Sequence, residues 1–277
     1  TIYLFHMPAF VFISGVFFKD KDIFRKLIYF ASILIPFHIL YVIFDFIIRG
    51  NISLSWFIQP YWILWYLVGM IAWTFLTPIL KRSGFPVLIS IVLAIAVGFS
   101  PVNNYHFSLG RIFTFLPFFV IGSVYGKQIA ALIKDSKVLL YISPLIFIIS
   151  IAYFYHFEIK RQWLYGSFNY TQLEVGLLQG AFTRGFIIII SCVVICSFLS
   201  IATLIKDKFT TLGGNTLPVY LLHGYIVMLV AYFASFENVY CGIVISVILA
   251  CLTCILLKQN IFNNMITSIS KVTKLIK

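Results

Sequence analysis

Residues 181–204 read AFTRGFIIIISCVVICSFLSIATL, with a single charge, Arg184, near the start. The run has no alternation of polar and apolar positions, so it is not a half-buried strand or a lipid-facing barrel strand, whose signature is about ten residues of alternating polarity. It is about as long as the ~20 residues a helix needs to cross the hydrocarbon of a bilayer. In hydrocarbon the backbone must satisfy its own hydrogen bonds, and a helix does so within one segment.

Eight further apolar runs occur, at about 2–18, 27–48, 57–80, 85–101, 112–127, 138–156, 214–234 and 239–257. The whole chain of 277 residues is 62% hydrophobic and 10% charged, with a mean hydropathy of +1.05. Soluble domains carry about 25% charged residues, and a water-facing surface cannot be made from what is left here. The expected fold class is all-α, a polytopic transmembrane helical bundle with nine spans over residues 1–257 and a basic amphipathic tail over 258–277. No run has the basic flank and small-residue cleavage site of a secretory signal.

A net charge of +12 raises the possibility of a nucleic-acid partner, but the placement of the charges speaks for membrane orientation instead. With residue 1 outside and each run crossing once, fifteen of the twenty Lys and Arg fall in the inner connections and the tail. Only Arg49, Arg111, Lys160, Arg161 and Arg184 lie outside. That is the positive-inside distribution, and it puts the C-terminus in the cytoplasm. A chain that opens outside, directly at the mouth of a helix, leads to the expectation of one preceding helix and ten spans in the natural protein. The five cysteines, Cys192, Cys196, Cys241, Cys251 and Cys254, all sit in apolar runs and read as small hydrophobes. Neither a disulfide nor a metal is expected.

The connections are mostly short. KDKDIFRK (19–26) and KRSGFP (81–86) lie inside. The longest lies outside, at about 157–180, and mixes Glu158, Lys160, Arg161 and Glu174 with Trp163, Tyr165 and Tyr170. It reads either as a sugar-binding lid or as an aromatic interface belt. In the tail, Ile261, Met265, Ile269, Val272 and Ile276 recur at helical spacing, as in a helix resting on anionic headgroups.

Four stretches carry polar groups that lipid would penalise. In FHMPAFVFISG (5–15), Pro8 suits the first turn of a helix and leaves His6 at its positive end, which favours a neutral imidazole able to accept a proton. An interface histidine above a helix-packing Ser14–Gly15 pair is the other reading. In LGGNTLPVYLLHG (212–224), Asn215 or Thr216 can cap a helix, and Thr216, Tyr220 and His223 share one face, expected to look into the bundle. RIFTFLPFFVIG (111–122) opens on Arg111, which either serves a site or snorkels to the surface. Trp62 and Trp65, one turn apart in YWILWYLVGMIAWTFLTP (61–78), either line a pocket or belong to a belt. Asp45 and Arg49 stand at i, i+4 and read as a structural pair. For His38, His106 and His156 no companion can be named.

In this order, FHMPAFVFISG, YWILWYL, RIFTFLPFFVIG and LGGNTLPVYLLHG resemble the successive motifs of the acyltransferase-three family, most closely its fucose 4-O-acetylase-like branch of integral-membrane O-acetyltransferases. The resemblance implies a bundle of ten spans in a bacterial inner membrane. It implies transfer of an acetyl group from acetyl-CoA, as co-substrate, to a sugar hydroxyl of a surface polysaccharide or its lipid-linked precursor. The implied partners are membrane lipids and that glycan, not nucleic acid. Such chemistry needs a base for the hydroxyl and stabilisation of a tetrahedral oxyanion.

Carried onto this chain, the motifs make His6, Arg111 and His223 the candidate catalytic residues, with Tyr220, Thr216, Trp62, Trp65 and Arg184 candidates for substrate binding. His6 takes an auxiliary role, because the histidine most often held to be catalytic in the family lies in a helix preceding the HMP-type motif. The basic inner loop with Lys19, Arg25 and Lys26 could attract CoA phosphates. Two other readings stay open on sequence: a transporter or flippase using the same polar stripes as a path, and an inactive fragment.

Overall fold

Each of the nine apolar runs carries a helix in the computed structural model, which describes residues 2–51, 53–101, 105–157, 159–204, 215–234 and 238–269. They are α1 (His6–Phe17), α2 (Ile23–Arg49), α3 (Trp65–Arg82), α4 (Pro86–Ala96), α5 (Leu109–Asp135), α6 (Lys137–His156), α8 (Leu177–Ala202), α9 (Thr216–Phe233) and α10 (Val239–Leu257). The single-turn α7 (Gln162–Tyr165) lies in the long connection, and α11 (Asn260–Ile269) follows α10. No strand occurs among the described residues. The protein is an all-α polytopic bundle, and among the described residues seven segments are long and apolar enough to cross a membrane.

The other two, α1 with 12 residues and α4 with 11, are shorter. Both limits are legible in the chain. The charges of Lys19, Asp20, Lys21 and Asp22 end α1, with Phe18 extended at its C-terminus and Asp22 at φ 53°. Pro86 opens α4 at its first turn, where a missing N–H costs nothing. Prolines 36, 78, 117 and 144 stand inside longer helices, as spanning helices tolerate.

The chain divides into two compact units, Thr1–Ile23 with Gly69–Ile205, and Phe24–Val68 with Lys206–Lys277. In the first, α1 packs backbone to backbone on α5. A Cβ on Gly15 would overlap the Phe119 carbonyl, one on Gly122 would overlap that of Phe12, and one on Gly126 would run into Val16. The Gly15 of FISG is therefore a packing residue. Trp73, fully buried, donates its indole N–H to Ile112 O at 2.8 Å and lies against Phe119.

The second unit is built on α2, α9 and the two 3-10 turns Leu54–Phe57 and Trp62–Leu64. Its core joins Phe37, Tyr41, Tyr61, Leu64, Leu221 and Ile266. Ile266 belongs to α11, so this part of the tail buries a residue in protein while Ile261 and Met265, on its other side, stay exposed. Val272, Ile276 and the tail lysines 271, 274 and 277 lie outside the described residues.

Candidate functional site

In the first unit the residues just ahead of α1 and the start of α5 come together on one residue. The close approaches pair Phe12 with Gly122, Gly15 with Phe119 and Val16 with Gly126, and the N-terminal parts of both helices lie near α7. Tyr165 of α7 bridges those ends. Tyr3, just ahead of α1, packs edge-on against the Tyr165 ring at 5.2 Å, and Arg111 Nε donates to Tyr165 O at 3.3 Å. The Arg111 guanidinium also lies 5.8 Å from the Tyr105 ring centroid. Thr114, one turn on, donates to Gly166 O. Gly166 sits at φ +70° against Thr114 and Phe115, a position suited to glycine. His6 is the first residue of α1, exposed, with its ring against Phe10 at 5.5 Å. Thus the HMP and RIFTFLP motifs supply an imidazole and a guanidinium to the same end of this unit.

The remaining first-unit candidate has a different setting. Arg184 is 3% exposed. It donates from Nη2 to Phe168 O at 2.7 Å and from Nη1 to Ala94 O at 3.4 Å, and its guanidinium lies 4.9 Å from the Tyr170 ring centroid. Tyr170 is fully buried; its hydroxyl donates to Ile95 O at 2.7 Å, and Gly98 and Gly180 leave the space its ring fills. Asn169 donates from its side chain to Ser100 O and folds back on Gln172. The 162–173 part of the long connection is therefore a packed plug, with Trp163, Leu164 and Leu173 in the core. Lys160 and Glu174 pair at 2.7 Å on its surface, and this pairing holds the Glu174 carboxyl below its ordinary range. Glu158 lies outside the described residues.

The second unit holds the other histidine. His223 Nδ1 lies 2.9 Å from Val219 O and 2.8 Å from Tyr220 O. Carbonyls only accept, so Nδ1 carries the proton and Nε2 keeps the lone pair. Tyr220, on the same face, donates its hydroxyl to Ile63 O and packs against Tyr66. Thr216, the first residue of α9, is exposed. Asn215 makes no side-chain cap; its amide instead donates to Lys258 O at 2.8 Å, at the end of α10. Residues 212–214 of the motif lie outside the described residues.

The two tryptophans part company. Trp65 is 8% exposed and belongs to the core, whereas Trp62 is 48% exposed and lines a cavity of about 240 Å³ with Arg49, Trp56, Tyr61, Val227, Met228 and Ala231. Arg49 Nε pairs with Asp45 Oδ1 at 3.0 Å, as the i, i+4 spacing suggests. Sequence reasoning missed His38. Its Nδ1 accepts the Tyr61 N–H at 3.1 Å and its Nε2–H donates to Trp56 O at 2.9 Å. Nothing local in the sequence signals these bonds, which reach 23 and 18 residues along the chain.

Chemically, the first unit carries the His6 imidazole at the start of α1 and the Arg111 guanidinium near the start of α5, and the second carries an imidazole of defined tautomer. Acyl transfer to a hydroxyl needs a proton acceptor and stabilisation of an oxyanion, tasks within the chemistry of an imidazole and a guanidinium. Comparison with known proteins gives one result: a family model described as an acyltransferase domain matches residues 1–258. No curated protein matches the chain, and no solved structure does. The match runs from the start of the chain through all four motifs to the end of α10, and the chain belongs to the acyltransferase-three family, the membrane acyltransferases.

Proposed function

We propose that this membrane acyltransferase takes acetyl from acetyl-CoA and passes it to a hydroxyl of a surface polysaccharide or of its lipid-linked precursor. The observation that carries the reading is that Arg111 and Tyr3, three residues ahead of His6, both rest on Tyr165. An acceptor hydroxyl must lose a proton as it attacks the thioester carbonyl, and the carbonyl oxygen becomes an anion; collapse of this intermediate breaks the C–S bond, and the CoA thiolate leaves and takes up the proton. An imidazole suits the first task and a guanidinium the second. His223, with its lone pair on Nε2, supplies a second imidazole of defined tautomer. The basic inner loop at 19–26 gives the CoA phosphates a favourable field.

The test follows transfer of labelled acetyl from acetyl-CoA to membrane glycan by the purified protein, alongside His6→Ala and His223→Ala. Removing a general base costs about 10² to 10⁴-fold in rate. A loss of that size in folded protein places the histidine in the reaction. Transfer unchanged in both variants removes both from it, and no thioester turnover with any glycan acceptor overturns the acetyltransferase reading.

A further inference from the structure

We propose that the cavity of the second unit is a subsite for one neutral sugar ring, bounded by Trp56, Tyr61, Trp62 and the Asp45–Arg49 pair. The inference rests on the acceptor being a carbohydrate, as proposed above, and adds the surface that receives it. The volume, about 240 Å³, is below that of pockets for drug-sized ligands and suits a single ring. The lining combines Trp56, Tyr61 and Trp62 of the 54–62 segment with Val227, Met228 and Ala231; Tyr61 is buried against Met228, and Trp62, 48% exposed, offers the open aromatic face. A pyranose has an apolar C–H face that rests on aromatic rings and an edge of hydroxyls that both donate and accept.

The polar partner for that edge is built in. Arg49 Nε and the Tyr61 hydroxyl both bind Asp45 Oδ1, at 3.0 and 3.1 Å. The Asp45 side chain is 7% exposed and that of Arg49 64%. The Nη groups of Arg49 have no partner among the described residues, and they present donors in the fixed fork of a guanidinium. Because the pair carries no net charge, an anion would lose to the carboxylate much of what it gained from the guanidinium. A neutral polyol loses nothing, and this selects a sugar over a phosphate. A lipid chain would suit the aliphatic wall but not the ion pair.

The site is also held ready. His38 ties Trp56 O and Tyr61 N to α2, and Tyr41 stacks on the Tyr61 ring at 4.9 Å. Ordering costs that a ring would otherwise meet on binding are thereby reduced.

Saturation-transfer NMR on the purified protein in lipid nanodiscs tests this, with the methyl glycosides of fucose, galactose and glucose as probes. At least one should receive saturation on its ring protons, and Trp62→Ala and Arg49→Gln should weaken its binding about tenfold, the loss typical of truncating an aromatic or arginine anchor. Trp62→Phe keeps an aromatic face and should retain most of the signal. No saturation of any of the three probes, or a signal that persists in Trp62→Ala, overturns the subsite. Acetyl transfer to membrane glycan, measured on the same samples, separates the two readings. Transfer without Trp62-dependent binding sinks the subsite alone. Trp62-dependent binding in a protein that transfers nothing keeps the subsite and sinks the acetyltransferase reading.

Discussion

Arg184 brings a cation into the protein interior with no carboxylate beside it among the described residues. Two carbonyls and the Tyr170 ring stand in for one, and its Nε is buried without a partner. Its donors are spent on the 162–173 plug and on the end of α4, which gives a structural reason for the residue as well as a functional one. Arg184→Met should leave the Phe168 and Ala94 carbonyls unpaired and cost about 1–3 kcal/mol for each. The expected outcome is a lower thermal midpoint in detergent, with KM for the acyl donor and acceptor unchanged in the protein that remains folded. A variant as stable as its parent but with a raised KM would return Arg184 to substrate binding. The Lys160–Glu174 pair is the opposite case, since both side chains are largely exposed. Its hydrogen bond lowers the Glu174 pKa, so any stabilisation is present above the ordinary carboxylate range and is lost as pH falls through the depressed value. Exposed pairs are worth little, and Lys160→Ala should leave the midpoint and its acid dependence unchanged.

At the scale of elements, the contact of α1 with α5 depends on three missing side chains. Gly122→Ala would drive a methyl group into the Phe12 carbonyl, and backbone has less freedom to yield than a flexible side chain. The expected cost is about 1–3 kcal/mol, read as a fall in thermal midpoint. Gly176→Ala, where a Cβ meets nothing, is the control. Equal midpoints for the two variants would show that α1 and α5 do not meet as closely as described. Part of this is legible in the sequence: all nine apolar runs carry helices, and a helix-packing Ser14–Gly15 pair is one of the two readings that FHMPAFVFISG allows. The long external connection is not. Its lid and belt readings came from Trp163, Tyr165 and Tyr170 standing next to charges, whereas the plug depends on Gly98 and Gly180 making room for Tyr170. Those glycines lie on separate elements, and no local pattern links them to the ring. His38 escaped for the same reason. The Asp45–Arg49 pair was seen because its spacing lies within one helix, while the cavity it bounds also needs α9 and the 54–62 segment.

For the whole molecule, the question is how many of the nine helices cross the bilayer. The 12 residues of α1 rise about 18 Å at 1.5 Å per residue, and α4 with its 3-10 extension to Phe99 about 21 Å. Both fall short of a hydrocarbon core of ~30 Å. Length alone counts seven spans among the described residues; for α4 the placement of Lys and Arg speaks for one more. If α4 failed to cross, every connection after residue 100 would change sides, and the fifteen-to-five division of Lys and Arg would become ten and ten. The asymmetry is kept if α4 crosses, and the bilayer would then thin locally around a short helix at a modest cost. Sidedness of single cysteines tests this, in a background where the five native cysteines are replaced by serine or alanine. Ser83→Cys precedes α4, Lys134→Cys ends α5, and Lys160→Cys follows α6; all three positions are exposed. A membrane-impermeant maleimide should label Lys160→Cys in intact cells, and Ser83→Cys and Lys134→Cys only after the membrane is opened. If Lys134→Cys is labelled from outside and Lys160→Cys is not, α4 is re-entrant. Arg111 and Lys160 would then face the cytoplasm, and an end of the first unit meant to meet a surface glycan would be on the wrong side of the membrane.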